Sequence, residues 1–357
     1  MKQKALWINQ IKGLSICLVV IYHSVITFYP HLDVFQHPWS EILAKCWIYF
    51  NLYLAPFRMP VFFFISGLLI RRYIDDVPWQ GCVDKRIWSI VWVLALWGLI
   101  QWGGLTLVNQ WLAPERDLSN ASNAAYAGSF GGFLHGMATA STSLWYLYAM
   151  IVYFPFCKMF SRWKAPLLVL LALLSMAINF LPTPWWGMNS VLRNVIFYAL
   201  GSWYGAVLLD QMKTLHFRRY ALPLAVLTCV SVPLYFLGVP LLISLVSIFM
   251  IMKLFYTFST IVTPKEKGLL NVVGTNTIAI YTTHRILIEA FSLALLAQLN
   301  QGLLSRPVEL AILLLYPFAS LAICTLFGLA TRRLSAFIFS DVLFTPPRPL
   351  VAAPATR

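Results

Sequence analysis

Charge is scarce in this sequence. Of its 357 residues, 11% are Asp, Glu, Lys or Arg, and only 12 are acidic. A soluble domain carries about 25% charged residues, enough to cover its surface. Ordinary cytosolic folds are therefore excluded, and so are disordered chains, which combine high charge with low hydrophobicity. The six cysteines form no Cys-x-x-Cys pair and mostly sit in apolar runs, which argues for small packing side chains over a disulfide or metal set. Also missing are Gly-x-Ser-x-Gly, His-Glu-x-x-His and the phosphate-binding Gly-x-x-x-x-Gly-Lys loop. Their absence removes the serine-hydrolase elbow, the zinc-protease helix and the P-loop. No fixed-period repeat is present.

What the chain has in excess is apolar surface. Apolar residues make up 60%, and the mean hydropathy is +0.75. With 14 Trp and 16 Tyr, it carries the side chains that settle at headgroup depth. This is the composition of an all-α polytopic membrane bundle, whose exterior is covered by lipid. A crossing helix needs about 20 largely apolar residues. On that measure the spans fall near 8–29, 47–70, 87–112, 140–160, 165–181, 191–209, 221–237, 241–262, 269–299 and 310–331, about ten transmembrane helices. The ninth is long enough to tilt or break. The first apolar run ends without a small-x-small cleavage pattern and is read as a retained span.

The net charge of +14 invites a nucleic-acid reading, but the basic residues are dispersed in small groups between apolar runs. Lys12, Arg71, Arg72, Lys85, Arg86, Arg162, Lys164, Lys213, Lys265, Lys267, Arg332 and Arg333 fall on alternate loops, and the intervening loops hold only Lys45, Arg116 and Arg306. An even span count with that alternation places both termini in the cytoplasm. Lys2, Lys4, Arg218 and Arg219 follow the same side. The longest outer loop, 113–139, is either a lid or a solvated connection. It contains a glycosylation sequon, Asn120-Ala121-Ser122, that carries little weight. The chain divides into a membrane domain, 1–333, and a proline-rich tail, 334–357, expected to be disordered.

Ionisable groups inside a bilayer cost at least about 2.5–3.5 kcal/mol near its centre, so they face the bundle interior and serve a purpose. Here they are His23, Arg58, Lys253, His284, Arg285 and Glu289. His23 follows Lys12 by 11 residues, about 16 Å of helix. Arg58 and His284 reach comparable depths from distant segments, so one buried site is the economical arrangement. Imidazole there suits general-base work. The plainer alternatives are a helix–helix hydrogen bond for His23, an i,i+4 pair for Arg285 and Glu289, a snorkelling Lys253 and a packing role for Ser66 beside Gly67. Two His with no acid or Cys at ligand spacing make a poor metal set, and no metal is expected.

These residues sit in four segments that together resemble the membrane-bound acyltransferase 3 family: Lys12-Gly13 through Tyr22-His23, Arg58-Met59-Pro60-Val61-Phe62-Phe63-Phe64-Ile65-Ser66-Gly67, Ser143-Leu144-Trp145-Tyr146-Leu147, and Gly274 through His284. Position 12 is Lys where the family pattern has Arg, which keeps the charge but loses the two-pronged grip. The resemblance covers residues 4 to 333. It implies an O-acyltransferase of the bacterial inner membrane that moves an acyl group, often acetyl, from cytoplasmic acyl-CoA to a hydroxyl of an envelope carbohydrate or small molecule. Acyl-CoA is then a co-substrate, and no cofactor is bound. On this reading His23 is the base or receives the acyl group itself, Arg58 stabilises the oxyanion or anchors the donor, and His284 orients or relays protons. Trp145 and Ser66 contact substrate, and Lys12 meets the coenzyme phosphates. The rival reading is a transporter or flippase that uses the same polar cluster without chemistry.

Overall fold

A computed structural model describes residues 6–33, 35, 37–118, 122–214, 217–302 and 304–347, without the side chains of 217–219. Lys2, Lys4, the sequon residue Asn120 and the chain beyond 347 lie outside the described residues, as do the side chains of Arg218 and Arg219. Among the described residues there is no strand. Thirteen α-helices are described: α1 (Leu6–Phe28), α2 (Pro38–Tyr53), α3 (Ala55–Asp75), α4 (Ser89–Leu112), α5 (Phe130–Ala138), α6 (Trp145–Met159), α7 (Lys164–Ala177), α8 (Trp186–Thr214), α9 (Phe217–Phe236), α10 (Leu241–Ile261), α11 (Leu269–Thr275), α12 (Thr277–Asn300) and α13 (Arg306–Ile338).

Each of the ten apolar segments is helical, but they are not equally long. Six helices (α1, α4, α8, α10, α12 and α13) are long and apolar enough to cross a membrane, or seven if the bent pair α2–α3 counts as one span. The others fall short for physical reasons. α6 has 15 residues and α7 has 14, about 22 Å of helix each. α9 is interrupted by Pro223 and Pro233. The second segment starts eight residues later than the hydropathy indicates. Pro56 cannot continue the ladder of α2, and the axis turns by 41° between Tyr53 and Ala55. The ninth segment breaks at Asn276, whose amide donates back to Val272 O at 2.8 Å.

The bundle closes through two glycine contacts. A Cβ on Gly274 would lie 2.0 Å from Asn9 O, and one on Gly13 would lie 2.2 Å from Leu270 O. Backbone therefore meets backbone between α1 and α11, which fixes the register of α1 against α12. The same device joins α3 to α8, where a Cβ on Gly67 would meet Tyr198 O at 2.2 Å. α1 and α8 are 61% buried along their apolar windows, against 28% for α4 and α13. α12, which carries His284, Arg285 and Glu289, is 50% buried along its window.

The tail differs from its expected disorder. Residue 333 falls inside α13, and the chain then folds back. Trp92 Nε1 and Trp97 Nε1 donate to the Val342 and Leu343 carbonyls at 2.7 and 2.8 Å, and buried Phe344 stacks on Trp97. The proline content had suggested disorder, but two indole donors and an aromatic slot order residues 334–347.

Candidate active site

Two pockets lie toward opposite ends of α1. The larger, about 800 Å³, is lined by His23, Tyr22, Arg58, Trp145, Tyr281 and Arg285 among others. The smaller, about 220 Å³, is lined by Lys12, Ser66, Lys85, Arg86, Tyr146 and again Tyr281. The six residues singled out in the sequence are thus divided. His23, Arg58 and Trp145 share the imidazole pocket, and Lys12 and Ser66 share the lysine pocket. His284 lines neither pocket. It is fully buried behind His23, with the two rings 5.0 Å apart between centroids.

The imidazoles have a defined polarity. His284 Nδ1 lies 2.7 Å from Tyr281 O and 3.2 Å from Ile280 O, the carbonyls of the preceding helical turn. A carbonyl only accepts, so Nδ1 carries the proton and the Nε2 of neutral His284 holds a lone pair. That Nε2 is buried without a partner, and so is His23 Nδ1. Two orphaned nitrogens on facing rings leave the remaining edge of His23 toward the pocket.

Arg58 sits one turn below the break between α2 and α3, near the middle of that bent pair. Its Nη1 donates to Asn51 O and Asn51 Oδ1 at 2.7 and 2.6 Å, and its guanidinium lies over the Tyr22 ring at 4.3 Å. The bend is what lets the last turn of α2 hold an arginine of α3. Both partners are neutral, so the positive charge is unbalanced locally.

Arg285 and Glu289 pair across one turn at 3.2 Å, and the pair belongs to a larger knot. Arg116, from the long loop, reaches Glu289 Oε1 at 2.5 Å, and Tyr126 donates to Oε2 at 2.9 Å while accepting from Arg285. Where the loop is described, these contacts tie Arg116 and Tyr126 down, while residues 114–117 and 128–132 stay exposed. Trp102 Nε1 donates to Ala127 O at 2.7 Å, Ala124 N donates to Ser141 O at 2.7 Å, and Ser122, Asn123 and Tyr126 form pocket wall.

Ser66 is held rather than poised. Its Oγ donates to Phe62 O at 2.7 Å and shares a 2.8 Å hydrogen bond with Tyr146 OH, away from both imidazoles. Lys253 is likewise engaged, capping the end of α8 by donating to Met212 O at 2.7 Å. In the lysine pocket a π-helical turn, Asp84–Trp88, sets Lys85 and Arg86 on the wall, and Ser89 Oγ closes it by donating to Asp84 O at 2.6 Å. Among the described residues no carboxylate lines this pocket. Tyr281 stands between the two chambers, its hydroxyl donating to Ser143 O at 2.6 Å and accepting from Tyr146 N at 3.3 Å. Among the described residues no three His, Cys, Asp or Glu side chains gather as a metal site.

The order and content of these segments match the acyltransferase domain of the acyltransferase 3 family from residue 5 to 329. This chain belongs to the acyltransferase 3 family. It is similar to inner membrane protein YcfT of Escherichia coli strain K12, with 67% identity over 347 residues that cover 97% of each chain. No solved structure matches it. Family membership, the near relative and the apolar helices together make it a multi-pass inner membrane acyltransferase.

Sequence reasoning missed several pocket residues of this acyltransferase. Arg193 on α8 lines the imidazole pocket, and its Nε is buried without a partner. Placing the sixth span at 191 put this arginine at a membrane edge, where arginine is ordinary. The helix in fact begins at Trp186. The polar cluster Asn189, Ser190, Arg193 and Asn194 was the available signal. Tyr281 was present in a recognised motif but had no role assigned. Tyr126 and Arg116 gave no signal, because only the folded loop brings them to Glu289.

Proposed function

We propose that the chain transfers an acyl group, acetyl being the first candidate, from cytoplasmic acyl-CoA to a hydroxyl of an envelope carbohydrate or small molecule. The observation that carries this reading is the pair of chambers meeting at Tyr281. One is cationic and free of carboxylates. The other holds imidazoles and a guanidinium. A donor rich in phosphate suits the first, and a polyhydroxyl acceptor suits the second. The basic loops, the lysine pocket and the returning residues 342–344 favour ten passes with both termini in the cytoplasm, so that the lysine pocket opens inward.

Lys12, Lys85 and Arg86 hold the coenzyme phosphates, Lys12 as a point charge. The thioester arm then reaches past Tyr281 toward His23. His284, whose Nδ1 proton is committed to Tyr281 O, turns its bare Nε2 to the side of His23, where the His23 Nδ1 is also unbonded at rest. Closing of these two nitrogens to a hydrogen bond on substrate binding holds the His23 proton on Nδ1 and leaves Nε2 as the free base. It removes the acceptor's hydroxyl proton as the oxygen attacks the thioester carbonyl. Arg58 stabilises the tetrahedral oxyanion. Collapse forms the ester, breaks the carbon–sulfur bond and expels the coenzyme thiolate, which takes the proton back from imidazolium. Trp145 offers a face for the acyl group or a sugar.

The test uses the full chain in lipid nanodiscs with acetyl-labelled acetyl-CoA and an extract of envelope carbohydrates. Coenzyme release together with label in the carbohydrate supports the proposal, and His23→Ala removes both while membrane insertion is kept. Passage of carbohydrate across liposomes containing the protein, with no label attached, turns the reading to transport.

A further inference from the structure

Resting on that acyl-transfer reading, we infer that the acceptor is anionic: a hydroxyl compound carrying a phosphate or carboxylate, which is seated by Arg193. The imidazole pocket is lined by three guanidiniums, those of Arg58, Arg193 and Arg285, and by no carboxylate. Their situations differ. Arg285 shares buried Glu289 with Arg116 and also donates to Tyr126 OH and Thr27 Oγ1. Arg58 is bound, but only by the neutral groups of Asn51. The Arg193 side chain has no hydrogen-bond or ion-pair partner among the described residues, and its Nε is shut away from solvent.

Arg193 lies seven residues along α8 from Trp186, about 10 Å into the helix. The side chain is half-buried, with its Nε enclosed and the rest turned to the pocket. Enclosing that nitrogen without a partner carries a desolvation cost, and the guanidinium cannot shed its proton to escape it. That cost is offset when a bound anion accepts from the enclosed Nε and displaces water from the pocket wall. Trp186, Ser190, Arg193 and Phe197 recur at helical spacing on the pocket face of α8. This strip supplies an indole face, a hydroxyl, a forked cation and a second ring, which is the chemistry that holds a charged sugar rather than a neutral one. The donor's phosphates are already provided for by Lys12, Lys85 and Arg86 in the other chamber.

Acceptors are compared in matched sets (a hexoside, its phosphate and the corresponding hexuronide) with the reconstituted full chain and acetyl-CoA. The phosphate or the carboxylate member is expected to be acylated with a kcat/KM about tenfold or more above the neutral one, and which of the two wins identifies the anion. Arg193→Gln collapses that preference by raising the acceptor KM, with the acetyl-CoA KM unmoved, and Arg193→Lys restores part of it. Equal rates on the neutral hexoside, or an anion preference intact in Arg193→Gln, overturn the inference. Failure of the acyl-transfer reading looks different, because no acceptor then releases coenzyme. In that case the anion site is read by thermal unfolding. Hexose 1-phosphate raises the midpoint of the parent protein above that with hexose but leaves Arg193→Gln unchanged, and no shift in the parent overturns the inference.

Discussion

The two pockets share α1 and α12 as walls yet are built in opposite ways. The lysine pocket is small, and its cations stand on a π-helical turn and on α1 with no acidic partner. The imidazole pocket is nearly four times larger, and several polar groups in and behind its wall are braced from outside, although Arg193 and His23 Nδ1 are not. Asn51 holds Arg58, Tyr281 O holds His284, and Glu289 holds Arg285. The difference is between gripping a charge and positioning atoms. A phosphate is recognised by field and tolerates imprecise geometry, whereas a base and an oxyanion partner must be placed within a fraction of an ångström.

Substitutions in each chamber should therefore fail differently, and the largest effect belongs to the positioned base. His23→Ala is expected to lower kcat by about 10²–10⁴-fold, measured as coenzyme release from detergent-purified protein of normal thermal stability. A variant with full activity removes the base assignment. His284→Ala, which acts through His23, should lower kcat by about tenfold to hundredfold while both KM values stay within about twofold. Changes confined to KM would instead make His284 a packing residue.

The lysine pocket should respond in KM. Lys12→Gln and Arg86→Gln are each expected to raise the acyl-CoA KM about tenfold without moving the acceptor KM. Lys12→Arg should leave kcat/KM within about twofold, since a point charge and a fork both satisfy a phosphate. If kcat falls instead, the contrast between the chambers is wrong. The smallest effect is expected at Ser66→Ala, which forfeits the hydrogen bond to Tyr146, about 1 kcal/mol of stability, with turnover within about threefold. A loss beyond hundredfold would bring back a nucleophilic role for this serine.

Much of the fold was legible because a bilayer imposes a simple rule. Apolar runs of fixed length must be helical, and each of the ten runs is. Their edges were less legible. Hydropathy does not register Pro56 as a bend, so the break one turn above Arg58, which lets Asn51 reach its guanidinium, was not foreseen. A misplaced edge hid Arg193, whose helix starts earlier than its apolar stretch. His23 and His284 were recognised as partners because an intramembrane imidazole is rare enough to be informative on its own. The contribution of Tyr126 to the wall, and of Arg116 to the ion pair behind it, was illegible, since their loop is polar like any solvated loop until Glu289 is buried beneath it.

Composition alone determined that lipid is the solvent, that the backbone is helical and that the few embedded charges face inward, because each follows from local free energies of transfer. Only the tertiary structure decided that these charges occupy two chambers rather than one. It also decided that His284 stands behind His23 and that, among the described residues, Arg58 and Arg193 are left without a counter-ion. Those outcomes depend on the rotation and register of helices far apart in the chain. Gly13 and Gly274 set that register through contacts that leave no trace in hydropathy.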